Sequence, residues 1–175
     1  QCVFINRWVD GICRTDATFG SERMAGLDGG VATIIGRGAI GGRLAPILAA
    51  LGMTVRSLGR PPEGARWSSR SLAAAVAGSR VLVIAVPGGP HTENIVDGAV
   101  LDGVRGGIVV NVGRGTVIDE SALFDRLVDG RLFAAGLDVW RLVPRDADAR
   151  ANTLPSTLPF HELDNVVMTP HVGGG

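Results

Sequence analysis

The sequence predicts an α/β fold, a doubly wound, mostly parallel sheet with helices on both faces. Three observations carry that prediction. Short apolar, β-branched runs alternate with stretches of helical composition. The run Val81-Leu82-Val83-Ile84-Ala85-Val86 is apolar throughout, as in a strand buried on both faces of a parallel sheet. Gly36-Arg37-Gly38-Ala39-Ile40-Gly41 stands directly after the first such run, and a G-x-G-x-x-G at a strand-to-helix turn is the dinucleotide fingerprint of Rossmann-type sheets. At 175 residues the chain has the length for one complete core.

Residues 31–35 read as the first strand and 39–51, rich in Ala, Leu and Ile, as the helix after it. In the turn between them Gly36 makes the tight bend, Gly38 lets backbone approach a pyrophosphate, and Gly41 lets helix and strand pack closely. Ala39 and Ile40 begin the helix, whose unpaired N–H groups and positive dipole end suit phosphate. Pro46 opposes a regular helix at a cost of roughly 3 kcal/mol, so a kink or an early 3₁₀ turn is expected there.

Residues 53–58 form a second strand, closed by the turn Gly59-Arg60-Pro61-Pro62. A short helix over 71–77, a strand over 81–86 and a weak helix over 93–101 follow. A strand over 107–112, a helix over 119–128 and strands over 132–139 and 165–169 complete the alternation. Residues 143–160 form the longest irregular segment, and such a loop in a compact domain is usually functional or mobile. Ligands of these sheets bind beyond the carboxyl ends of the strands. Residues 36–41, Gly59, Pro87, Arg114, Asp138 and His171 all fall there.

Composition narrows the function. The 17 basic residues, all arginine, balance 17 acidic ones and form no stripe, so no nucleic-acid surface is expected. Cys2 and Cys13 have neither metal spacing nor the density of a secreted scaffold, which points to reduced thiols in a cytoplasmic protein. No run approaches the ~18 apolar residues of a membrane span; the run from Val81 is stopped by Pro87. No signal-peptide pattern is visible. The chain opens at Gln1 and stops in three glycines, as expected of a piece excised from a longer protein.

Further motifs give these strand ends a chemistry. Asn111-Val112-Gly113-Arg114-Gly115 is followed by Val117-Ile118-Asp119-Glu120, then by Gly136-Leu137-Asp138-Val139-Trp140 and Thr169-Pro170-His171. With the Val86-Pro87 turn and Leu51-Gly52-Met53, this order resembles the D-isomer-specific 2-hydroxyacid dehydrogenases over about residues 28–175. The resemblance implies an oxidoreductase that moves a hydride between a nicotinamide cofactor and a small 2-oxo or 2-hydroxy acid. Arg114 would hold the acid's carboxylate and carbonyl oxygen, for which a planar guanidinium is suited. His171 would be the general acid/base. Asp138 would accept a hydrogen bond from the nicotinamide carboxamide, and Val86, Pro87, Val112 and Gly113 would line the cofactor.

Taken singly, these residues have plainer readings. An arginine after a strand is ordinarily solvated or ion-paired, a histidine after Thr-Pro can close a turn, and Asp138 can cap one through its side chain. The motifs in family order favour the functional assignment. His91 and His161 match no motif and read as surface histidines, and Glu162 as a turn charge.

By the same resemblance, residues 1–27, with Arg7-Trp8, are a remnant of the connection to a substrate domain. Residues 28–175 are then the dinucleotide-binding domain. Most of the substrate domain is missing from the chain, so cofactor binding with little or no turnover is expected of it alone. A homodimer through the cofactor domain is also implied.

Two positions depart from the pattern. The family carries a Glu immediately before a Pro after its Leu-Asp-Val strand end, and that Glu pairs with the histidine; formate dehydrogenases of the wider family carry Gln. Here Val143 precedes Pro144. Valine can neither hydrogen-bond an imidazole nor raise its pKa by charge. His171 is therefore expected to be poorly oriented and to titrate lower than in relatives, with weak or specialised turnover. A shifted register supplying Asp146 or Asp148 is the less favoured alternative.

The acidic residue that binds the adenosine ribose should end the second strand, about 20 residues past the fingerprint. That position is Gly59, followed by Arg60. Glycine leaves room for a 2′-phosphate and arginine offers it a fork. The pair is similar to that of the NADP-using glyoxylate and hydroxypyruvate reductases of the family. NADP is the expected cofactor, helped by Arg66 or Arg70, with NAD as second choice. Because fold does not dictate function, a non-catalytic NAD(P)-binding regulatory protein, like the family's corepressors, is the competing class.

Overall fold

A computed structural model describes residues 26–173 except 64, 105, 147, 148 and 150–152. Cys2, Cys13, Arg7, Trp8 and Asp148 lie outside the described residues. In chain order the elements are β1 (Val31–Ile35), α1 (Ala39–Ala50), β2 (Thr54–Leu58), α2 (Ser69–Val76) and β3 (Val81–Ile84). They continue with α3 (Gly98–Asp102), β4 (Ile108–Asn111), α4 (Glu120–Val128), β5 (Ala134–Leu137) and β6 (Val166–Met168). Short 3₁₀ turns lie at Gly115–Val117 and Phe160–Glu162.

The six strands form one parallel sheet in the order β2-β1-β3-β4-β5-β6. The chain steps outward from β1 to β2, then returns past β1 to lay β3 on its other side. The order reverses between β1 and β3, which makes the carboxyl ends of those strands the topological switch point.

Strand alternation divides the core into two layers. Ala32, Ile34, Val81 and Val83 meet Leu44, Ala45 and Leu48 of α1 on one face. Ile35, Leu82, Ile84, Val109 and Leu137 meet Leu72 and Val76 of α2, Val100 and Leu101 of α3, and Leu123 and Leu127 of α4 on the other. Each such aliphatic side chain contributes about 1.5–3 kcal/mol when fully buried. The fully apolar β3 is buried along its whole length, as its composition requires.

Local chemistry moves several boundaries from those the sequence predicts. Helix α1 continues unbroken through Pro46 to Ala50, without the expected 3₁₀ turn. Pro46 is exposed, so solvent can take up the carbonyl its ring leaves unbonded. Helix α2 starts earlier than predicted because Ser68 and Ser71 form a reciprocal capping box, each side chain accepting from the other's N–H at 3.1 and 3.0 Å.

The helix expected over 93–101 shrinks to α3, whose N-terminus is capped by Asp97 accepting from Val100 N–H. Residues 94 and 96 donate instead to the Thr116 and Val117 carbonyls, in a bridge between Val96 and Ile118. Strands β3, β4 and β5 are shorter than predicted, leaving residues 85–87, 112–114 and 138–141 free to turn at the carboxyl edge.

Candidate active site

The fingerprint turn is assembled from three differently constrained glycines. Gly36 is buried at φ +112°, and its N–H donates to the Leu58 carbonyl at 2.9 Å. A Cβ there would overlap the Ala85 carbonyl, and one on Gly41 would overlap the Gly36 carbonyl oxygen. Gly38, at the N-cap of α1, has nothing within 4 Å of its Cβ position.

The turn is thus closed on its protein side and open on its solvent side. Ala39 and Ile40 are exposed at the first turn of α1, which has no side-chain cap and no acidic residue. Its N–H groups need an external acceptor, and a phosphate at the positive helix end fits them. This cradle suits a dinucleotide pyrophosphate.

The next two strand ends pack beside it. Val86 is buried, and its Cγ1 lies near the Gly36 position. On its other side the Val86 backbone fits against Gly113, where a Cβ would be 3.1 Å from the Val86 nitrogen. Pro87 is exposed, its carbonyl accepting from the Thr92 hydroxyl at 2.9 Å. Val112 is half-buried and its N–H donates to the Ile84 carbonyl at 3.0 Å.

Buried Asn111, at the end of β4, ties the following turn from both sides. Its Oδ1 accepts from Gly113 N–H at 3.1 Å and its Nδ2 donates to the Arg114 carbonyl at 3.0 Å. Arg114 is thereby presented at the surface, one guanidinium nitrogen donating to the Gly113 carbonyl at 2.7 Å. Among the described residues its guanidinium makes no other hydrogen bond.

Asp138 joins that turn to the histidine. Its N–H donates to the Asn111 carbonyl at 3.1 Å, and its side chain is buried. Oδ1 accepts from the Thr169 hydroxyl at 2.6 Å and from Val172 N–H at 2.9 Å; Oδ2 accepts from Gly173 N–H at 2.9 Å. Burial pushes the carboxyl pKa up, but these three hydrogen bonds and the nearby His171 charge outweigh it and hold the pKa below its usual value. The ionised form therefore clamps the turn. With a depressed folded pKa, its contribution is whole above the ordinary 3.8 and fades as pH falls through the folded value.

Within the clamped turn His171 is exposed at φ +58°, a left-handed conformation in which histidine is enriched among non-glycine residues. Trp140 Nε1 donates to the Thr169 carbonyl at 2.9 Å and fixes the approach to the turn. Among the described residues the His171 ring has no hydrogen-bond partner. Val143 is 69% exposed on the loop after β5. Asp146 accepts from Ala149 N–H at 2.8 Å and so caps its own loop.

Gly59 follows β2 directly, half-buried, with Arg60 exposed beside it. A Cβ on Gly59 would lie 3.3 Å from Cδ of Arg37. Arg66 and Arg70 are exposed nearby in sequence. Sequence reasoning assigned no role to Arg37, Thr169 or the Asn111 side chain. Asn111 and Thr169 stood inside recognised motifs, which was a usable signal; the contact of Arg37 with Gly59 depends on strand register and left none.

Among the described residues no group of His, Cys, Asp and Glu could hold a metal ion, and no helix is long and apolar enough to cross a membrane. The family model for the NAD-binding domain of D-isomer-specific 2-hydroxyacid dehydrogenases matches residues 7–173. The chain is 35% identical over 168 residues to D-3-phosphoglycerate dehydrogenase of Haemophilus influenzae, covering 94% of this chain and 39% of that protein. It is 36% identical over 140 residues to 2-ketogluconate reductase of Gluconobacter oxydans, covering 78% and 45%.

Among solved structures, an NADPH-dependent glyoxylate/hydroxypyruvate reductase of Sinorhizobium meliloti matches with a TM-score of 0.66 at 28% identity, covering 82% of this chain and 72% of that one. The chain spans about two fifths of the length of the two curated relatives.

Proposed function

The chain belongs to the D-isomer-specific 2-hydroxyacid dehydrogenase family, and we propose that the whole protein transfers a hydride between NADP(H) and a small 2-oxo or 2-hydroxy acid. One observation supports this most. Asp138 bonds through its backbone to the Arg114 turn and through its carboxylate to the His171 turn, so a carboxylate-binding cation and a proton donor are held on one frame. The open Gly38 cradle lies along the same sheet edge.

When bound, the nicotinamide supplies the hydride. Arg114 takes the substrate carboxylate through a charge-assisted fork and orients the carbonyl. His171 would give a proton to the carbonyl oxygen in reduction and take it back in oxidation. Asp138 keeps the turn of His171 in place, and the lone pair left on Oδ2 is free for the nicotinamide carboxamide. Residues 28–175 act as the cofactor domain. Residues 1–27 are, on this proposal, a remnant of the connection to the substrate domain. The chain alone then binds cofactor with little turnover.

The NADP preference is supported by Gly59 and Arg60, which follow β2 directly with a cation and no carboxylate at the strand end where the ribose would be read. Titration of the whole protein with both reduced cofactors tests it. NADPH should bind about tenfold or more tightly than NADH, the worth of one hydrogen bond to a charged group. Tighter binding of NADH would remove the NADP assignment.

A further inference from the structure

We propose that Arg37, the second residue of the fingerprint turn, is a specificity-determining cation for the adenosine 2′-phosphate, and that glycine at 59 is what lets it serve. The proposal deepens the NADP reading and rests on it. A Cβ on Gly59 would meet Arg37 Cδ at 3.3 Å and Cγ at 3.9 Å and nothing else within 4 Å. The aliphatic stem of Arg37 therefore lies against the end of β2 beside Gly59, the residue that precedes Arg60.

Backbone fixes that approach. Ile35 is in register with Leu58, and Gly36 N–H donates to the Leu58 carbonyl at 2.9 Å, so Arg37 and Gly59 leave the sheet side by side. Charge supplies the second argument. Arg37 and Arg60 are both exposed, and among the described residues neither is paired with a carboxylate. Two like charges at one strand end repel, and a dianion between them reverses the sign of that interaction. Guanidinium forks match the oxygens of a phosphate and gain nothing comparable from a ribose hydroxyl.

This placement has a consequence at position 59. An aspartate there would crowd the Arg37 stem and face its guanidinium first, so it would neutralise the cation instead of reading the ribose. In this chain Gly59→Asp alone should lose 2′-phosphate binding without gaining affinity for the unphosphorylated ribose, and gain should need Arg37→Leu as well.

Binding of 2′,5′-ADP and 5′-AMP to the whole protein tests the proposal. Leucine keeps the apolar contact over Gly59, and Arg37 is exposed, so Arg37→Leu should fold normally. It should weaken 2′,5′-ADP about tenfold and leave 5′-AMP unchanged. Unchanged 2′,5′-ADP affinity in Arg37→Leu, alongside a loss in Arg60→Leu, would overturn the role of Arg37 while the NADP reading stands. Equal affinity of the unmodified protein for the two probes would overturn both.

Discussion

His171→Asn is expected to lower kcat for 2-oxo acid reduction by about 10²–10⁴-fold, the range for a lost general acid, while the dissociation constant of NADPH stays unchanged. Asparagine is the informative choice because it adopts positive φ readily. The turn at φ +58° and its bonds to Asp138 should survive, with only the imidazole removed. Steady-state kinetics with a parallel fluorescence titration separates the two quantities. An equal loss of cofactor affinity would mean that His171 shapes the cofactor pocket instead. Val143 bears on the same step. Its exposed side chain offers the ring nothing, so Val143→Glu should raise kcat or leave it unaltered, and a fall would contradict the orientation argument.

Gly36→Ala should destabilise the fold by roughly 2–6 kcal/mol, combining backbone strain of about 1–3 with overpacking of about 1–3. The residue sits at φ +112°, and its Cβ would overlap the Ala85 carbonyl, which belongs to the backbone and cannot rotate away. Against a net stability of 5–15 kcal/mol typical of domains, denaturant unfolding should register the change at once. Gly38→Ala is the control, since its Cβ meets nothing in the protein. It should leave the unfolding midpoint in place and weaken cofactor binding, because the methyl group would enter the open space proposed here for the pyrophosphate. Wild-type binding by Gly38→Ala would show that phosphates do not approach that turn.

Much of the fold was legible because its strongest signals are local. The short, β-branched and wholly apolar β3 reads as an interior strand, and β1, β2, β4 and β6 also carry β-branched residues, whereas β5, Ala134–Leu137, carries none. What misled was tertiary. Residues 94–96 read as helix but are drawn into a bridge with 116–118, a pairing that local composition cannot announce. Pro46 predicted a kink or an early 3₁₀ turn, yet α1 stays α-helical through it, with Pro46 exposed.

At the site, motif order placed Arg114, Asp138 and His171 on strand ends. It did not reveal that the Asp138 carboxylate already receives three donors from the His171 turn. The resemblance implies a cofactor ligand at Asp138, and turn-capping is its plainer role. The observed bonds put the carboxylate in the turn, where it accepts from Thr169, Val172 and Gly173. Arg37 was invisible for a different reason. Its stem lies beside Gly59 because the neighbouring strands β1 and β2 end together, Ile35 in register with Leu58.

The most direct measurement is NADPH oxidation by the whole protein across a panel of small 2-oxo acids that includes glyoxylate and hydroxypyruvate. Turnover that depends on the 2-oxo acid, is faster with NADPH than NADH, and is abolished by His171→Asn is the expected result. Tight NADPH binding with no oxidation on any member of the panel would contradict it and leave a cofactor-sensing protein on the same sheet.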